Sequence, residues 1–123
     1  MARLLIVDDE EKVRVYLARL LERRGHEVET AADGESAIAR AADRDFDVVL
    51  LDILMPGMSG MEVLRRLKTL KPKMPVIMLT GNLSVKTGVD SLKQGAFTYL
   101  TKPIDLKRLE ETLEEALEHG PFV

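Results

Sequence analysis

The chain of 123 residues contains no cysteine, so disulfide bonds and thiol chemistry are excluded and a reducing cytoplasm suits it. It has no apolar run long enough to cross a bilayer and no N-terminal signal-peptide pattern. Positive charge does not predominate either, since the formal net charge is −3 at pH 7. We therefore expect one domain in the cytoplasm that neither enters a membrane nor binds a nucleic-acid backbone by itself.

Short apolar runs alternate along the chain with segments whose apolar residues recur at helical spacing. This alternation predicts repeated βα units, because a run of about four apolar residues suits a buried strand. Five strands and five helices in strict alternation predict one α/β domain over residues 1–123, a three-layer sandwich with right-handed crossovers. The predicted strands are Leu4–Val7, Val28–Ala31, Phe46–Leu51, Val76–Leu79 and Phe97–Thr101.

The helix predicted between the fourth and fifth strands has an apolar stripe of its own. Val85, Val89 and Leu92 recur at helical spacing, so we expect this face to be buried against the sheet. Gly95 is expected to end the helix, because glycine commonly follows the last helical residue.

Polar residues suited to metal or phosphate chemistry stand where four of the predicted strands end. The first strand runs into Asp8 and Asp9, the third into Asp52, the fourth into Thr80 and the fifth into Lys102. In an open parallel sheet, ligands bind outside the carboxyl ends of the strands, where the loops form a crevice. We therefore expect three carboxylates, a hydroxyl and an ammonium group to lie together at one edge.

This set of groups suits Mg²⁺ binding and phosphoryl transfer. Mg²⁺ prefers oxygen ligands in octahedral geometry, and Asp8, Asp9 and Asp52 supply them. A carboxylate can also be the nucleophile, and Asp52 is the better candidate because it stands alone after the most buried strand. Lys102 would supply positive charge and Thr80 a hydroxyl donor to the transferred group.

Each of these residues also has an ordinary structural explanation when it is taken alone. Asp8 and Asp9 could begin a capped helix, and Asp52 could be a turn residue. Thr80 and Lys102 could be surface residues without a role. Their joint position at the ends of successive strands favours a functional site over that explanation.

Four motifs make the chain resemble the receiver domains of bacterial two-component response regulators. The resemblance covers essentially the whole chain, and the motifs are highly specific in order and spacing. It implies a flavodoxin-like, doubly wound sheet of five parallel strands in the order 2-1-3-4-5. The matching stretches are LLIVDDE at residues 4–10, VVLLDILMPGMSG at 48–60, VIMLTG at 76–81 and GAFTYLTKP at 95–103.

The resemblance implies a phosphoacceptor and a metal site. Asp52 would accept a phosphoryl group from a sensor histidine kinase or a phosphotransfer protein, in a reaction that depends on Mg²⁺. Asp8 and Asp9 match the acidic pair of the family that helps bind Mg²⁺. Asp52 and the backbone carbonyl of Leu54 would complete the protein ligands of the metal.

The resemblance also implies a switch. Thr80 and Lys102 match the pair that contacts the phosphoryl group, and Tyr99 matches the switch aromatic. Thr80 would move toward the phosphoryl group, and Tyr99 would swing into the space that it leaves. The bond between Lys102 and Pro103 matches one that is cis in the family.

Two residues beside the predicted phosphoacceptor bear on the lifetime of the phosphoryl group. Leu54 and Asn82 stand two residues after Asp52 and Thr80, at variable positions that flank the path of the hydrolytic water. Leu54 would exclude water on one side, and Asn82 could position it on the other. We expect a moderately long-lived phosphoryl state.

The implied role is that of a signalling domain, not an enzyme, although it would assist its own phosphorylation and dephosphorylation. Its partners would be the kinase, an output domain or partner protein, and, in one alternative, a second copy bound on phosphorylation. The basic residues of the first helix form either a solvated face or the surface on which the kinase docks. They are Arg14, Arg19, Arg23 and Arg24.

Three other functions compete with this interpretation. A haloacid-dehalogenase-like phosphatase would need two aspartates separated by one residue, whereas Asp8 and Asp9 are adjacent. A flavodoxin-like cofactor binder would need a phosphate-cradling loop rich in serine, threonine and glycine after the first strand. A receiver-like module that is never phosphorylated, and acts only through protein interactions, is disfavoured by the complete acidic set but stays open.

Overall fold

The computed structural model of the protein describes residues 2–81 and 85–119, and it confirms alternating parallel strands and helices in three layers. No helix in this described part is long and apolar enough to cross a bilayer. The elements, in chain order, are β1 (Arg3–Val7), α1 (Glu11–Arg23), β2 (Glu27–Ala31), α2 (Gly34–Asp43), β3 (Val48–Asp52), α3 (Gly60–Leu70), β4 (Val76–Thr80), α4 (Val85–Lys93), β5 (Thr98–Thr101) and α5 (Leu106–His119).

The strands form one sheet in the order β2-β1-β3-β4-β5, and every neighbouring pair is parallel. This is the order that the family resemblance implies. β3 and β4 are buried along their whole length, as expected of central strands with helices on both faces. β2 lies at one edge and is only partly buried, in agreement with its alternating sequence.

Two apolar clusters fill the spaces between the layers. One face of the sheet packs against α2 and α3, through residues such as Ala37 and Leu64. The opposite face packs against α1 and α5, through residues such as Leu17 and Leu113. Alternate residues of the strands supply the two faces, so Leu5 and Leu51 belong to one cluster while Leu4, Ile6 and Leu50 belong to the other.

The predicted buried stripe of α4 is wrong. Val89 and Leu92 are 38% and 42% exposed, and the side chain of Val85 lies outside the described part. Among residues 86–93, whose side chains are described, the buried ones are small, Gly88 and Ser91, which stand one position before Val89 and Leu92. One position turns a helix by about 100°, so small residues, rather than the valines, let α4 approach the sheet.

The start of α3 fixes the chain that follows β3. The Ser59 hydroxyl accepts a hydrogen bond from the backbone N–H of Glu62 at 3.3 Å and caps the helix. Gly60 lies so close to β3 that a Cβ atom there would overlap the carbonyl oxygen of Asp52. The backbone N–H of Gly60 also donates to the carbonyl of Ile53 at 2.9 Å. The start of α3 is therefore packed directly against the carboxyl end of β3.

Candidate phosphoacceptor and metal site

The three predicted carboxylates meet at the carboxyl edge of the sheet. Asp8 follows β1, Asp9 comes next, and Asp52 is the last residue of the neighbouring strand β3. Each side chain offers an oxygen within 4.8 Å of the oxygens offered by the other two. Asp8 is fully buried and Asp52 is 4% exposed, whereas Asp9 is exposed. The cluster is thus open to solvent on the side of Asp9.

Lys102 joins this cluster from β5, as predicted. Its Nζ atom lies 2.8 Å from Oδ2 of Asp8 and 3.6 Å from Oδ1 of Asp52. Burial disfavours the charge of this ammonium group, but the hydrogen bond to Asp8 and the attraction of Asp52 outweigh that effect and raise the pKa of Lys102. Lys102 therefore carries its positive charge into a largely buried site.

The carboxyl group of Asp52 has an altered acidity. Burial, and then the negative charge of Asp8, raise the pKa of Asp52 from its ordinary value of 3.8 to about 6. Lys102 and the backbone N–H of Leu54 oppose this shift without cancelling it. Close carboxylates that resist ionisation together are stabilised by a cation, so the electrostatics of the cluster favour binding of a metal ion.

Backbone groups hold two of the carboxylates. The N–H of Glu10 donates to Oδ1 of Asp8 at 2.9 Å, and the N–H of Leu54 donates to Oδ1 of Asp52 at 3.3 Å. The side chain of Leu54 is 59% exposed beside Asp52. The role of the Leu54 carbonyl as a metal ligand stays a prediction.

Thr80 and Tyr99 occupy different places relative to this cluster. Thr80 is the last residue of β4, next to β3, and it is 3% exposed. Tyr99 lies on β5 and is half-buried, with its ring against Gly88 of α4. The register pairs Met78 with Tyr99 and Thr80 with Thr101, so Thr80 and Tyr99 project from the same face of the sheet.

The turn after β5 presents Lys102. The peptide bond between Lys102 and Pro103 is cis, as the resemblance implies. The backbone N–H of Lys102 donates to the carbonyl of Thr80 at 2.6 Å, which joins the ends of β4 and β5. Asn82, the predicted neighbour of the hydrolytic water, lies outside the described residues.

The structure adds one residue, Arg14, that the sequence analysis did not place in the site. Arg14, predicted only as part of the basic helix α1, donates from Nη1 to the main-chain carbonyl of Asp8 at 2.8 Å. No sequence signal pointed to this contact, because the acceptor is a main-chain carbonyl, which every residue possesses. Arg14 thus contacts the backbone of the acidic pair.

The residues present fit a divalent cation that prefers oxygen. Asp8, Asp9 and Asp52 are hard carboxylate ligands, and Mg²⁺ usually binds one or two of these together with waters and a phosphate oxygen. The carboxylate of Asp9 is exposed, so the cluster is accessible from solvent on that side. Binding of Mg²⁺ by Asp8 would have to compete with the ammonium group of Lys102.

Comparisons with known proteins agree with this geometry. The family model described as response regulator receiver domain matches residues 4–114. Transcriptional regulatory protein ZraR of Salmonella typhimurium is 42% identical over 116 residues, which are 94% of this chain and 26% of that protein. Transcriptional regulatory protein TcrA of Mycobacterium tuberculosis is 42% identical over 120 residues, 98% of this chain and 47% of that protein.

A solved structure extends the comparison to the whole fold. The CheY-like response regulator receiver domain protein of Methanospirillum hungatei matches with a TM-score of 0.93 and 37% identity, covering 98% of this chain and 96% of that one. The chain spans about a quarter to a half of the length of the two transcriptional regulatory relatives. The chain therefore belongs to the response regulator receiver domain family, in which phosphorylation and Mg²⁺ binding are typical.

Proposed function

We propose that this domain receives a phosphoryl group on Asp52 and thereby changes its interactions with a partner. The observation that carries the proposal is the meeting of Asp8, Asp9, Asp52 and Lys102 at one edge of the sheet. A structural ion pair alone would not require two buried carboxylates to share one ammonium group beside a third, exposed carboxylate. A phosphoryl acceptor needs this combination of a nucleophile and positive charge.

In the proposed reaction, a carboxylate oxygen of Asp52 attacks the phosphorus of a phosphohistidine on the kinase or phosphotransfer protein. A new O–P bond forms while the P–N bond breaks, and the leaving imidazole nitrogen takes up a proton from water. The pKa of about 6 leaves Asp52 ionised at pH 7.5, as a nucleophile must be. The domain contributes position and charge to this transfer, and in this sense it assists its own phosphorylation.

Lys102 would change its partner during the transfer. Its ammonium group now bonds to Asp8 and lies 3.6 Å from Asp52, so a short movement brings it to an oxygen of the new acyl phosphate. Asp8, Asp9 and Asp52 would hold Mg²⁺, which supplies additional positive charge to the phosphoryl oxygens. The Leu54 carbonyl is a further proposed ligand.

The proposed output of phosphorylation is a rearrangement of Thr80 and Tyr99. The phosphoryl group adds negative charge and acceptor oxygens, toward which the Thr80 hydroxyl can donate. The common sheet face of Thr80 and Tyr99 supports a link between the two, since movement of one changes the space available to the other. The surface of α4, β5 and α5 would then differ between the two states.

The partners of the whole protein are also proposals. The two relatives are named transcriptional regulatory proteins and are longer than this chain, which supports an output function carried by additional sequence or by a separate protein. A cytoplasmic location, a homodimer that forms on phosphorylation, and the absence of direct nucleic-acid binding stay predictions. The single-domain extent over residues 1–123 is likewise a prediction, supported by the family match over residues 4–114.

Acetyl phosphate tests the proposal without knowledge of the kinase. The protein is incubated with acetyl phosphate, with and without Mg²⁺, and its intact mass is measured beside Asp52→Ala and the exposed control Asp43→Ala. We expect one phosphoryl adduct in the parent and in Asp43→Ala with Mg²⁺, and none in Asp52→Ala. Full labelling of Asp52→Ala would refute the assignment, and a parent that neither labels nor binds Mg²⁺ would favour the interaction-only module.

A further inference from the structure

The contact between Arg14 and the backbone of Asp8 is unusual for a cation in α1. Arg14 is the fourth residue of the helix, and its Nη1 atom donates to the Asp8 carbonyl at 2.8 Å. Positive charge near the first turn opposes the positive end of the helix dipole. The hydrogen bond that joins Arg14 to the backbone of the site, rather than its position in the helix, points to a role in the site.

Arg14 has no carboxylate partner to explain its position. Within residues 2–81 and 85–119, no carboxylate oxygen lies within 4.0 Å of its guanidinium group, whereas Arg24, Arg40 and Arg44 all form such pairs. Its side chain is half-buried. The carbonyl of Asp8 is therefore the side chain's partner in the structure.

The peptide unit that Arg14 holds is the one that joins the two predicted metal ligands. The Asp8 side chain is already fixed by Lys102 and by the N–H of Glu10. Asp9 is exposed, and no hydrogen bond within the described residues fixes its carboxylate. The peptide unit between Asp8 and Asp9 is planar. A hydrogen bond to the Asp8 carbonyl therefore also fixes the orientation of the backbone N and Cα atoms of Asp9.

We propose that Arg14 is a positioning residue for the metal site, which holds the peptide between Asp8 and Asp9 so that the Asp9 carboxylate faces the cluster. The inference rests on the proposed function, because it concerns the same Mg²⁺ site. Groups that orient metal ligands in this way commonly change metal affinity by roughly 10- to 100-fold when they are removed.

Because Arg14 is charged, a positioning role and a purely electrostatic role predict opposite changes in Mg²⁺ affinity when Arg14 is replaced. A guanidinium group near the cluster repels Mg²⁺, so a role through charge alone predicts tighter Mg²⁺ binding when it is removed. Positioning of the metal ligands by Arg14 predicts weaker Mg²⁺ binding when the side chain is removed. Charge effects also fade at high salt, whereas the loss of a positioning hydrogen bond persists.

Lys12 provides a matched control. It lies in the first turn of the same helix and is exposed, and no ion pair or hydrogen bond of its side chain occurs among the described residues. Lys12→Met therefore removes the same charge from the same turn without touching the Asp8 carbonyl. Arg14→Lys keeps both the charge and a donor, and it should recover most of the affinity that Arg14→Met loses.

The experiment is calorimetric titration of Mg²⁺ into the parent, Arg14→Met, Arg14→Lys and Lys12→Met, at low and high salt. We expect Arg14→Met to bind Mg²⁺ roughly 10-fold more weakly at both salt concentrations. We expect Lys12→Met to stay within about twofold of the parent, because its charge is exposed and screened by solvent. If Arg14→Met does not fold in EDTA by circular dichroism, Arg14→Gln serves in its place.

Arg14→Met that binds Mg²⁺ as tightly as Lys12→Met, or more tightly than the parent, would overturn the inference while the proposed function stands. A parent protein that binds no Mg²⁺ would overturn the metal site of the proposed function and this inference with it.

Discussion

Lys102 and Asp8 form an ion pair in which the ammonium nitrogen lies 2.8 Å from a carboxylate that is completely buried. The nearest oxygen of Asp52 is 3.6 Å from the same nitrogen. In this state Lys102 is therefore bound chiefly to a predicted metal ligand, while it lies close to the predicted phosphoacceptor. Metal binding and phosphorylation would both change what Lys102 contacts.

Lys102→Ala is expected to destabilise the protein without metal and to leave Mg²⁺ binding intact. Removal of one partner from a buried ion pair leaves Asp8 uncompensated, at a cost of about 3 kcal/mol. Mg²⁺ then no longer competes with the ammonium group, so its affinity should equal or exceed that of the parent. The proposed signalling contact with the phosphoryl group is lost.

Urea unfolding in EDTA and in Mg²⁺, with calorimetric titration of Mg²⁺, measures these effects. Lys107→Ala is the control, since Lys107 is exposed on α5 and forms no ion pair among the described residues. Loss of Mg²⁺ binding in Lys102→Ala would show that Lys102 supports the metal site instead of competing for it.

Asp52→Asn is expected to stabilise the metal-free protein, and more so at neutral than at acidic pH. The folded-state pKa of Asp52, about 6, is higher than the ordinary 3.8, so the folded protein binds this proton more tightly than the unfolded chain does. The contribution of protonated Asp52 to the free energy of unfolding is therefore fully present below pH 4 and is lost as the pH rises to about 6. At about 1.4 kcal/mol per pKa unit, the loss is at most about 3 kcal/mol.

Urea unfolding in EDTA at pH 4.5 and pH 7.5 tests this linkage. Asp43→Asn is the control because its side chain is 78% exposed. If Asp52→Asn raises the free energy of unfolding by the same amount at both pH values, the raised pKa of Asp52 is contradicted.

Leu54→Asn is expected to shorten the lifetime of the phosphoryl group. Leu54 is 59% exposed beside Asp52, where its apolar side chain can keep water from the acyl phosphate. An amide in its place admits water and can hydrogen-bond to it. Decay of the phosphorylated protein, followed by intact mass after removal of acetyl phosphate, measures the change.

Leu70→Asn is the matched control for that variant, since Leu70 is a 41% exposed leucine at the end of α3. Hydrolysis that is no faster in Leu54→Asn than in the parent and in this control would eliminate the steric explanation.

Gly88→Ala is expected to displace the ring of Tyr99. A Cβ atom at Gly88 would lie 2.7 Å from Cζ of Tyr99, which is closer than nonbonded carbon atoms approach. Overpacking of this kind costs about 1–3 kcal/mol. The cost should disappear when the ring is absent, so Gly88→Ala should be harmless or stabilising in a Tyr99→Ala background.

A double-mutant cycle measured by urea unfolding gives the coupling between the two residues. We expect a coupling of at least about 1 kcal/mol, because contacting residues do not act independently. If the effects of the two substitutions on the free energy of unfolding are strictly additive, the ring of Tyr99 does not contact Gly88 in solution.

The sequence predicts most of the sheet and the acidic cluster for one physical reason. Strands buried on both faces must be apolar, so β3 and β4 are visible as apolar runs, and the polar residue at each end marks the edge of the sheet. Parallel strands bring those ends together, so Asp8, Asp52 and Lys102 could be placed near one another before any distance was known.

Features that depend on small side chains or on main-chain acceptors could not be predicted in this way. The buried residues among 86–93 of α4 are Gly88 and Ser91, so the more apolar stripe nearby was misleading. Arg14 bonds to a carbonyl, which every residue possesses, so its partner leaves no mark in the sequence. The strand order also came from the family resemblance, because alternation alone allows several orders.

Locating the phosphoryl group in the protein of unaltered sequence identifies the phosphoacceptor residue directly. The protein is labelled with acetyl phosphate and Mg²⁺, the acyl phosphate is reduced with borohydride to convert the aspartate into homoserine, and the peptides are sequenced by mass spectrometry. If Asp52 is the phosphoacceptor, homoserine appears at residue 52 in place of Asp52, and Asp8 and Asp9 are unchanged. Homoserine at residue 8 or 9, with Asp52 intact, would contradict that assignment.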